Sequence, residues 1–379
     1  MTLQSKKEYI TAMRERYRKA VTRQEKSHLI SELVIFLQCH RKHAIRVLRK
    51  KELKRVIPRN RKYTYGIELS EPLKQIWEVA GRPCSQRLRP QMGNLIRQLK
   101  KFGELKLYGN QEELLGEMSH WTIDQLLAPE RERLRGKGIS GTRRSPLLKS
   151  LIPIRTTFEL AIGIGNLEMD TVLHCGEAIA GEYGVTVNMM DIATHWNEKR
   201  MIMRKTQAKV VGAFHRARTQ FPFPIRSIDF DNGDEFVNWC MYGYCKRHEI
   251  AFTRSRPYQK NDQAHIEGKN FQSVRKVTGY GRITDEKGIA LLNDVYENEH
   301  RLLTNFFYPT LKLKRKVKTD GKDHKQYEEA RTPYQRILQS KTIRPEIKQR
   351  LRAEYERLNP AALQRSLHKK ITTIRQLLE

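Results

Sequence analysis

The stretch IRSIDFDNG, residues 225–233, is the part of the sequence that decides the fold prediction. Isoleucine and phenylalanine favour a β-strand, and Asn232-Gly233 is a strong signal for a tight turn. The strand is therefore predicted to end at Asp231.

The segments around this stretch predict strands and helices in the order β-β-β-α-β-α-β-α. The other strand candidates are LEMDTVLHC (167–175), EYGVTVNMMDI (182–192), EKRMIM (198–203) and IAFTRSR (250–256). The helix candidates are QAKVVGAFHRARTQF (207–221), EFVNWCMYGYCKRH (235–248) and NDQAHIEGKNFQSVRKV (261–277). This order predicts an α/β core, a mixed sheet flanked by helices.

Three acids fall on separate elements of this core. Asp170 lies within the first strand, Asp231 ends the fourth, and Glu267 lies early on the last helix, with 35 residues between it and Asp231. This arrangement resembles the catalytic core of the DDE transposase and retroviral-type integrase superfamily, which has a ribonuclease-H-like fold. The segments EMDTVLHCGE, DFDNGDEF, TRSRPYQKNDQAHIEGKN, NFFYPTLKL and ARTPYQRIL are, more closely, similar to a group of bacterial insertion-sequence transposases.

The resemblance implies that Asp170, Asp231 and Glu267 are catalytic metal ligands. Asp170 and Asp231 would share one Mg²⁺, and Asp170 and Glu267 a second, with Mn²⁺ as a substitute. Phosphodiester cleavage needs an activated oxygen nucleophile and a stabilised leaving oxygen, and two divalent ions supply both. Mg²⁺ prefers hard oxygen ligands, which suits a set of carboxylates.

Other polar residues near the three acids have less specific patterns. Asp229 shares the strand face of Asp231, but its distance to Glu267 misses the pattern. His174 is interpreted first as a packing residue, with support of the site as the alternative. Asn232 and Asn261 are further candidates for support, Asn232 in the turn after Asp231 and Asn261 as a cap of the last helix.

The charge of the chain indicates a polyanionic partner. Among 379 residues, 73 are Lys or Arg and the net charge is +31, which is typical of proteins that bind nucleic acid. An anionic membrane surface is the other option, but no apolar run approaches the ~20 residues of a spanning helix. The amino terminus lacks an apolar signal region, and the five cysteines form no CxxC pair. A bacterial cytosolic, nucleoid-associated protein is therefore expected.

Basic residues are concentrated outside the core. Residues 1–60 hold 17 Lys or Arg against 5 Asp or Glu, and the helix RKHAIRVLRKKELKR follows a short break, as in a helix-turn-helix. An ordinary helical hairpin with a charged surface is the alternative. The candidate DNA contacts are Arg41, Lys42, Arg46, Arg49, Lys50, Arg143, Arg144, Arg254, Arg256, Lys260, Lys269 and Arg275.

These patterns predict five regions. They are an all-α helix-turn-helix region at 1–62, a second helical DNA-binding region at 63–132, a basic linker at 133–155, the catalytic core at 156–308 and a small basic C-terminal module at 309–379. That module ends in a helix whose apolar stripe packs on its own domain or pairs two protomers. Ser119 is predicted to cap a helix of the second region.

The resulting hypothesis is a transposase that binds the terminal repeats of its element, cleaves DNA strands with Mg²⁺ and transfers them to target DNA. It would assemble as a homo-oligomer on DNA. A DNA-binding regulator with an inactive core is one alternative. A ribonuclease-H-type nuclease without strand transfer is another.

Overall fold

A computed structural model describes residues 3–49, 65–133, 163–178, 180–230, 239–254, 270–319 and 322–378. The chain divides into two compact units, residues 1–64 and residues 65–379. Within the described ranges, no helix is both long enough and apolar enough to cross a membrane.

Residues 3–49 of the first unit form three helices. They are α1 (Leu3–Lys19), α2 (Arg23–Leu37) and α3 (Arg41–Arg49). Thr22 and Glu25 form a reciprocal capping box that starts α2, and Gln38 ends it in a left-handed conformation, with φ of 49°. The apolar faces meet in a small core that includes Met13, Leu33 and Leu48. The predicted helical character is therefore confirmed for residues 3–49, and the rest of the predicted region lies outside the described residues.

Within residues 65–133 of the second unit, five α-helices precede the sheet. They are α4 (Ser70–Val79), α5 (Ser85–Leu88), α6 (Met92–Lys101), α7 (Gln111–Glu117) and α8 (His120–Glu132). The hydroxyl of Ser119 accepts a hydrogen bond from the backbone N–H of Thr122 at 3.1 Å, so the predicted cap of α8 is confirmed.

A five-stranded mixed sheet forms the centre of the second unit. Its strands are β1 (Asn166–His174), β2 (Gly184–Asp191), β3 (Asn197–Met203), β4 (Ser227–Phe230) and β5 (Ala251–Arg254). Their order across the sheet is β3-β2-β1-β4-β5, in which β2 runs antiparallel to β1 and β3, whereas β4 runs parallel to β1 and β5. This topology is consistent with an integrase-like ribonuclease-H fold, and the predicted mixed sheet with flanking helices is confirmed.

The remaining elements lie between the strands or after them. They are α9 (Gln207–Arg218), α10 (Trp239–Arg247), a π-helical turn (Phe271–Arg275) that continues into α11 (Lys276–Thr278), α12 (Glu286–Glu297), α13 (Glu299–Leu302) with a second π-helical turn (Leu303–Phe307), the hairpin of β6 (Leu313–Thr319) and β7 (Lys322–Tyr327), α14 (Pro333–Gln339), α15 (Pro345–Arg357) and α16 (Pro360–Leu378).

The two faces of the sheet differ in polarity, because successive residues of a strand point to opposite sides. On one face of β1 lie Leu167 and Met169, which join the main hydrophobic core. On the opposite face, Asn166 and Glu168 are buried and Asp170 is partly buried. Burying polar groups costs free energy unless they are hydrogen-bonded. The polar face is therefore where a site is expected.

The C-terminal helices pack against their own chain. Leu367 and Ile374 of α16 are buried in the main core, which supports own-domain packing of the apolar stripe. The Gln98 side chain donates to the carbonyl of Leu358 at 2.9 Å, and Arg365 makes a bidentate pair with Glu104 at 2.7 and 2.8 Å. The helices at both ends of the second unit thus belong to one compact body. The finer domain boundaries stay a prediction.

Two asparagines cover the outer edge of β3. Asn293 accepts from the N–H of Met201 at 2.8 Å and donates to the carbonyl of Met201 at 2.9 Å. Asn305 does the same for Asn197, at 2.8 and 3.1 Å. These side-chain amides take the place of a neighbouring strand, so this edge is closed to a further strand at both positions.

Candidate active site

Asp170 lies on β1, next to the last described pair between β1 and β4. Within the described residues, the pairing of β1 with β4 extends to Met169 opposite Phe230, and Asp170 is the next residue of β1. In the sequence, Phe230 is followed by Asp231, which lies outside the described residues, as does Asn232. On its other side, Asp170 pairs directly with Asn188 of β2.

Two donors among the described residues hold the Asp170 carboxylate. Its Oδ1 accepts the backbone N–H of Thr171 at 2.7 Å, and its Oδ2 accepts the Asn270 side-chain amide at 2.5 Å. A carboxylate oxygen offers two lone-pair directions, so a hydrogen bond in one direction is compatible with a metal ligand bond in the other. The two donors fix the rotamer of the side chain, and Asp170 stays partly exposed.

Asn270 brings the last predicted helix of the core to this carboxylate. It directly precedes the π-helical turn Phe271–Arg275, and it follows Glu267 by three residues in the sequence. Glu267 and Asn261 lie outside the described residues. The described geometry thus places the chain near Glu267 in sequence against Asp170. Sequence reasoning missed Asn270, although its position three residues after a predicted helical acid, hence on the same helix face, was a usable signal.

A directional chain of amides continues inward from Asn270. Its carbonyl oxygen accepts from the Asn188 amide at 2.7 Å, and the Asn188 carbonyl oxygen accepts from the Asn197 amide at 2.6 Å. Asn197 also donates to the backbone carbonyl of Met189 at 2.9 Å. Asn188 is 0% exposed and Asn197 is 4% exposed. The amides therefore form one buried series that ends on the Asp170 carboxylate.

A second pair of acids lies further along the same sheet face. Glu168 pairs with Asp229 across β1 and β4, and both are fully buried. The hydroxyl of Thr253 donates to Asp229 at 2.7 Å. Full burial separates these two acids from the partly exposed Asp170. The choice of Asp231 over Asp229 as a ligand stays a prediction. Sequence reasoning did not single out Glu168.

His174 and Asp191 take part in internal hydrogen bonds. His174 is buried with its Nε2 2.8 Å from the hydroxyl of Thr186, and burial, followed by the charge of Arg275, lowers the His174 pKa to about 3. It is thus neutral at physiological pH, as a packing residue would be. Asp191 accepts from the N–H of Gly165 at 2.8 Å and from Thr194, and burial raises its pKa to about 6. It fixes the turn after β2.

The guanidinium of Arg275 faces the protein. It donates to the carbonyls of Leu173 at 2.8 Å and Gly279 at 3.2 Å, and it lies over the ring of Tyr280, 5.0 Å from the centroid. Burial, as the main cause, lowers the pKa of Arg275 from its ordinary value. These contacts tie the late helix to the end of β1. The prediction of Arg275 as a phosphate contact finds no support in them.

The other candidate DNA contacts divide between described and undescribed residues. Lys42, Arg46 and Arg49 are exposed on α3. Arg41 is exposed too, and its guanidinium donates to the hydroxyls of Ser27 at 2.8 Å and Ser31 at 3.3 Å. The side chain of Arg254 and the following residues lie outside the described part of the chain: Lys50, Arg143, Arg144, Arg256, Lys260 and Lys269.

A metal centre cannot be assembled from the described residues alone. Among them, no group of three or more His, Cys, Asp or Glu side chains is placed to hold a metal ion. Of the three predicted ligands, only Asp170 belongs to the described part. The carboxylate oxygens of Asp170 are partly exposed, and Thr171 and Asn270 hold them in place. They are hard oxygen ligands of the kind that Mg²⁺ prefers.

Comparison with known proteins gives one extensive match. The chain is 35% identical over 328 residues to "Uncharacterized protein y4rM" of Sinorhizobium fredii (strain NBRC 101917 / NGR234), a match that covers 86% of this chain and 93% of that protein. No protein-family profile matches the sequence.

Two solved structures align with part of the chain. The catalytic core domain of HTLV-2 integrase, solved in complex with magnesium, aligns with 13% identity and a TM-score of 0.30, over 40% of this chain and 92% of that domain. The catalytic core domain of BIV integrase aligns with 15% identity and a TM-score of 0.31, over 46% and 93%. At these values the alignments decide nothing about the activity of this chain.

Proposed function

The chain belongs to the family of the y4rM protein, and we propose that it is a DDE-type DNA transposase. In this proposal it binds the terminal repeats of an insertion sequence and catalyses Mg²⁺-dependent strand cleavage and strand transfer. DNA is the substrate, and a homo-oligomer assembles on it. The proposal combines the acid pattern of the sequence with the geometry around Asp170.

The observation that carries the proposal is the meeting of three chain segments at one carboxylate. β1 supplies Asp170 itself, β4 pairs its Phe230 with Met169, and the late helix supplies Asn270, whose amide contacts Asp170. Asp231 follows the second segment directly, and Glu267 precedes the third by three residues. Distant carboxylates can share metal ions only if their segments converge, and the described residues next to them support that requirement.

The residues of the proposed site have distinct tasks. Asp170, Asp231 and Glu267 would hold two Mg²⁺ ions, which supply Lewis-acid stabilisation of the attacking and leaving oxygens when bound. Thr171 and Asn270 hold the Asp170 carboxylate in one orientation, so little reorganisation is needed before reaction. In strand transfer, the terminal 3′-hydroxyl of the element attacks a target phosphodiester, and the displaced oxygen leaves without a covalent protein intermediate.

The first unit is the proposed reader of the element ends. Gln38, Cys39 and His40 connect α2 to α3, a spacing typical of a helix-turn-helix. Lys42, Arg46 and Arg49 are exposed on α3, so this helix can approach the phosphates that line a DNA groove. Specific binding by this unit distinguishes a transposase from a general nuclease.

The decisive experiment for the proposal is nick mapping. The full-length protein is incubated with end-labelled DNA carrying candidate element ends or scrambled sequence, with Mg²⁺ or with EDTA. The proposal predicts nicks at the element boundary that require Mg²⁺, followed by joining to a target plasmid. Specific binding without nicks would instead support a DNA-binding regulator. Nicks without joining or end preference would support a ribonuclease-H-type nuclease.

A further inference from the structure

The amide chain beneath Asp170 has acceptors at both ends. At the inner end, Asn197 donates to the backbone carbonyl of Met189, which can only accept. At the outer end, Asn270 donates to the Asp170 carboxylate, which only accepts when ionised. Each amide between these ends must therefore present its NH₂ group toward Asp170. The direction of the whole series is fixed by chemistry, and reversing one amide would place two donors or two acceptors against each other.

A buried chain of amides is energetically unfavourable if its only role is to fill space in the core. A buried amide costs free energy unless every polar atom is paired, and apolar side chains fill similar space without that requirement. On the opposite face of β2, the neighbouring positions are Val187 and Met189, both fully buried and apolar. The asparagines of the polar face thus provide a hydrogen-bond direction, which apolar residues cannot supply.

We propose that Asn188 and Asn197 are positioning residues that act on Asp170 through Asn270. Asn188 fixes the Asn270 amide so that its NH₂ group faces the carboxylate, and Asn197 fixes Asn188 in the same way. Asn305 anchors the inner end, because it clamps both backbone groups of Asn197 on the edge of β3. The inference rests on the proposed function, since it assigns these residues to the metal-binding carboxylate of that site.

The alternative is a purely structural role, in which the amides only join β2 to β3. The two explanations differ in whether a change at Asn188 or Asn197 affects metal binding at Asp170. A structural role predicts a loss of stability without a specific effect at Asp170. A positioning role predicts that a change at Asn197, which does not contact Asp170, weakens metal binding there.

The test compares three leucine substitutions in the full-length protein. Asn188→Leu and Asn197→Leu interrupt the chain at its two inner positions. Asn166→Leu is the matched control, because Asn166 is a buried asparagine on the same face of β1 that bonds Gly163 and Ser227. For each variant, Mn²⁺ affinity is measured by electron paramagnetic resonance, terminal-DNA affinity by gel shift, and stability by thermal unfolding.

The positioning role predicts a graded loss of Mn²⁺ affinity. Removing support for a ligating group weakens metal binding or activity by about 10- to 100-fold, so Asn188→Leu should fall in that range. Asn197→Leu should lose less, Asn166→Leu should bind Mn²⁺ like the parent, and DNA affinity should not change. If Asn188→Leu fails to fold, the comparison of Mn²⁺ affinity between Asn197→Leu and Asn166→Leu decides between the positioning role and the structural role.

Equal Mn²⁺ affinity in all folded variants would refute the positioning role, as would a parent protein that binds no Mn²⁺. A parent that binds Mn²⁺ at this site but never cuts DNA would refute the proposed function alone, because the comparison of Mn²⁺ affinities would still decide the role of the asparagines.

Discussion

Replacing Arg301 with Met should destabilise the second unit more than any surface charge substitution. Glu198 is 1% exposed, and its carboxylate accepts from the Nε of Arg301 at 3.1 Å and from the indole of Trp196 at 2.7 Å. Without Arg301, a buried carboxylate loses its cationic partner. Breaking a buried pair in this way costs about 3–5 kcal/mol, because the remaining charge is left uncompensated.

The loss should depend on pH in a defined direction. Burial already raises the pKa of Glu198, and Arg301 is the main opposing influence. In Arg301→Met the pKa of Glu198 rises further above its unfolded value. A raised carboxyl pKa favours folding below the unfolded pKa, and this contribution disappears as pH rises through the folded pKa. The variant should therefore be least destabilised near pH 5 and most destabilised near pH 8.

Urea unfolding at several pH values measures both effects. Arg133→Met is the matched control, since Arg133 pairs with Glu130 at 3.4 Å with 74% of its side chain exposed, and such pairs contribute less than about 1 kcal/mol. Because Arg301 also donates to the carbonyl of Gln220 and lies over Trp196, the double variant with Glu198→Gln isolates the pair. A loss below about 1 kcal/mol, or one independent of pH, would refute the reasoning.

Three further predictions concern other parts of the chain. Removing residues 1–64 should abolish discrimination between element ends and random DNA in a gel shift, and full discrimination by residues 65–379 would contradict this prediction. The DNA affinity of the intact protein should fall about 10³-fold between low and moderate salt. Lys199→Met should raise the free energy of unfolding measured in urea, and by more at pH 7 than at pH 10. Burial lowers the pKa of Lys199 to about 7, so at neutral pH the unfolded lysine takes up a proton that favours unfolding of the parent. An equal change at both pH values would contradict this prediction. Leu367→Ala should cost about 2–5 kcal/mol, since this residue of α16 is buried in the main core, and a change below 1 kcal/mol would count against own-domain packing.

The sheet was predictable because its signals are local. Strand residues and turn residues alternate at regular intervals around Asp170 and Asn232-Gly233, so each strand could be placed within a few residues. The cap at Ser119 was predictable for the same reason, since it depends on residues within one helical turn.

The partners of buried charges were not predictable, because they come from distant segments. Glu198, Lys199 and Arg200 are consecutive charged residues on a strand, and all three are buried. Their burial depends on Arg301 and on Glu297, which lies 3.2 Å from Arg200. Nothing near residues 198–200 in the sequence indicates these partners, about a hundred residues later.

The surroundings of Asp170 were predictable only in outline. The three acids follow from motif and order, but the amides that orient Asp170 follow from strand register. A shift of one residue between β1 and β2 would turn Asn188 away from Asp170, and sequence alone does not determine that register.

The central claim is that Asp170, Asp231 and Glu267 hold metal ions that cleave DNA. Its most direct test is the rate at which Glu267→Gln nicks a labelled element end in Mg²⁺, relative to the parent. Gln keeps the size of the side chain but removes the charge a Mg²⁺ ligand needs. Asp229→Asn is the control, because Asp229 lies on the same face of the sheet as Asp170 but is fully buried.

The account predicts that Glu267→Gln folds, binds terminal DNA like the parent and nicks it about 10³-fold more slowly, on the order of 4 kcal/mol of lost transition-state stabilisation. Asp170→Asn and Asp231→Asn should show the same loss, and Asp229→Asn a milder one. Nicking by Glu267→Gln at the rate of the parent protein would contradict the metal-site account.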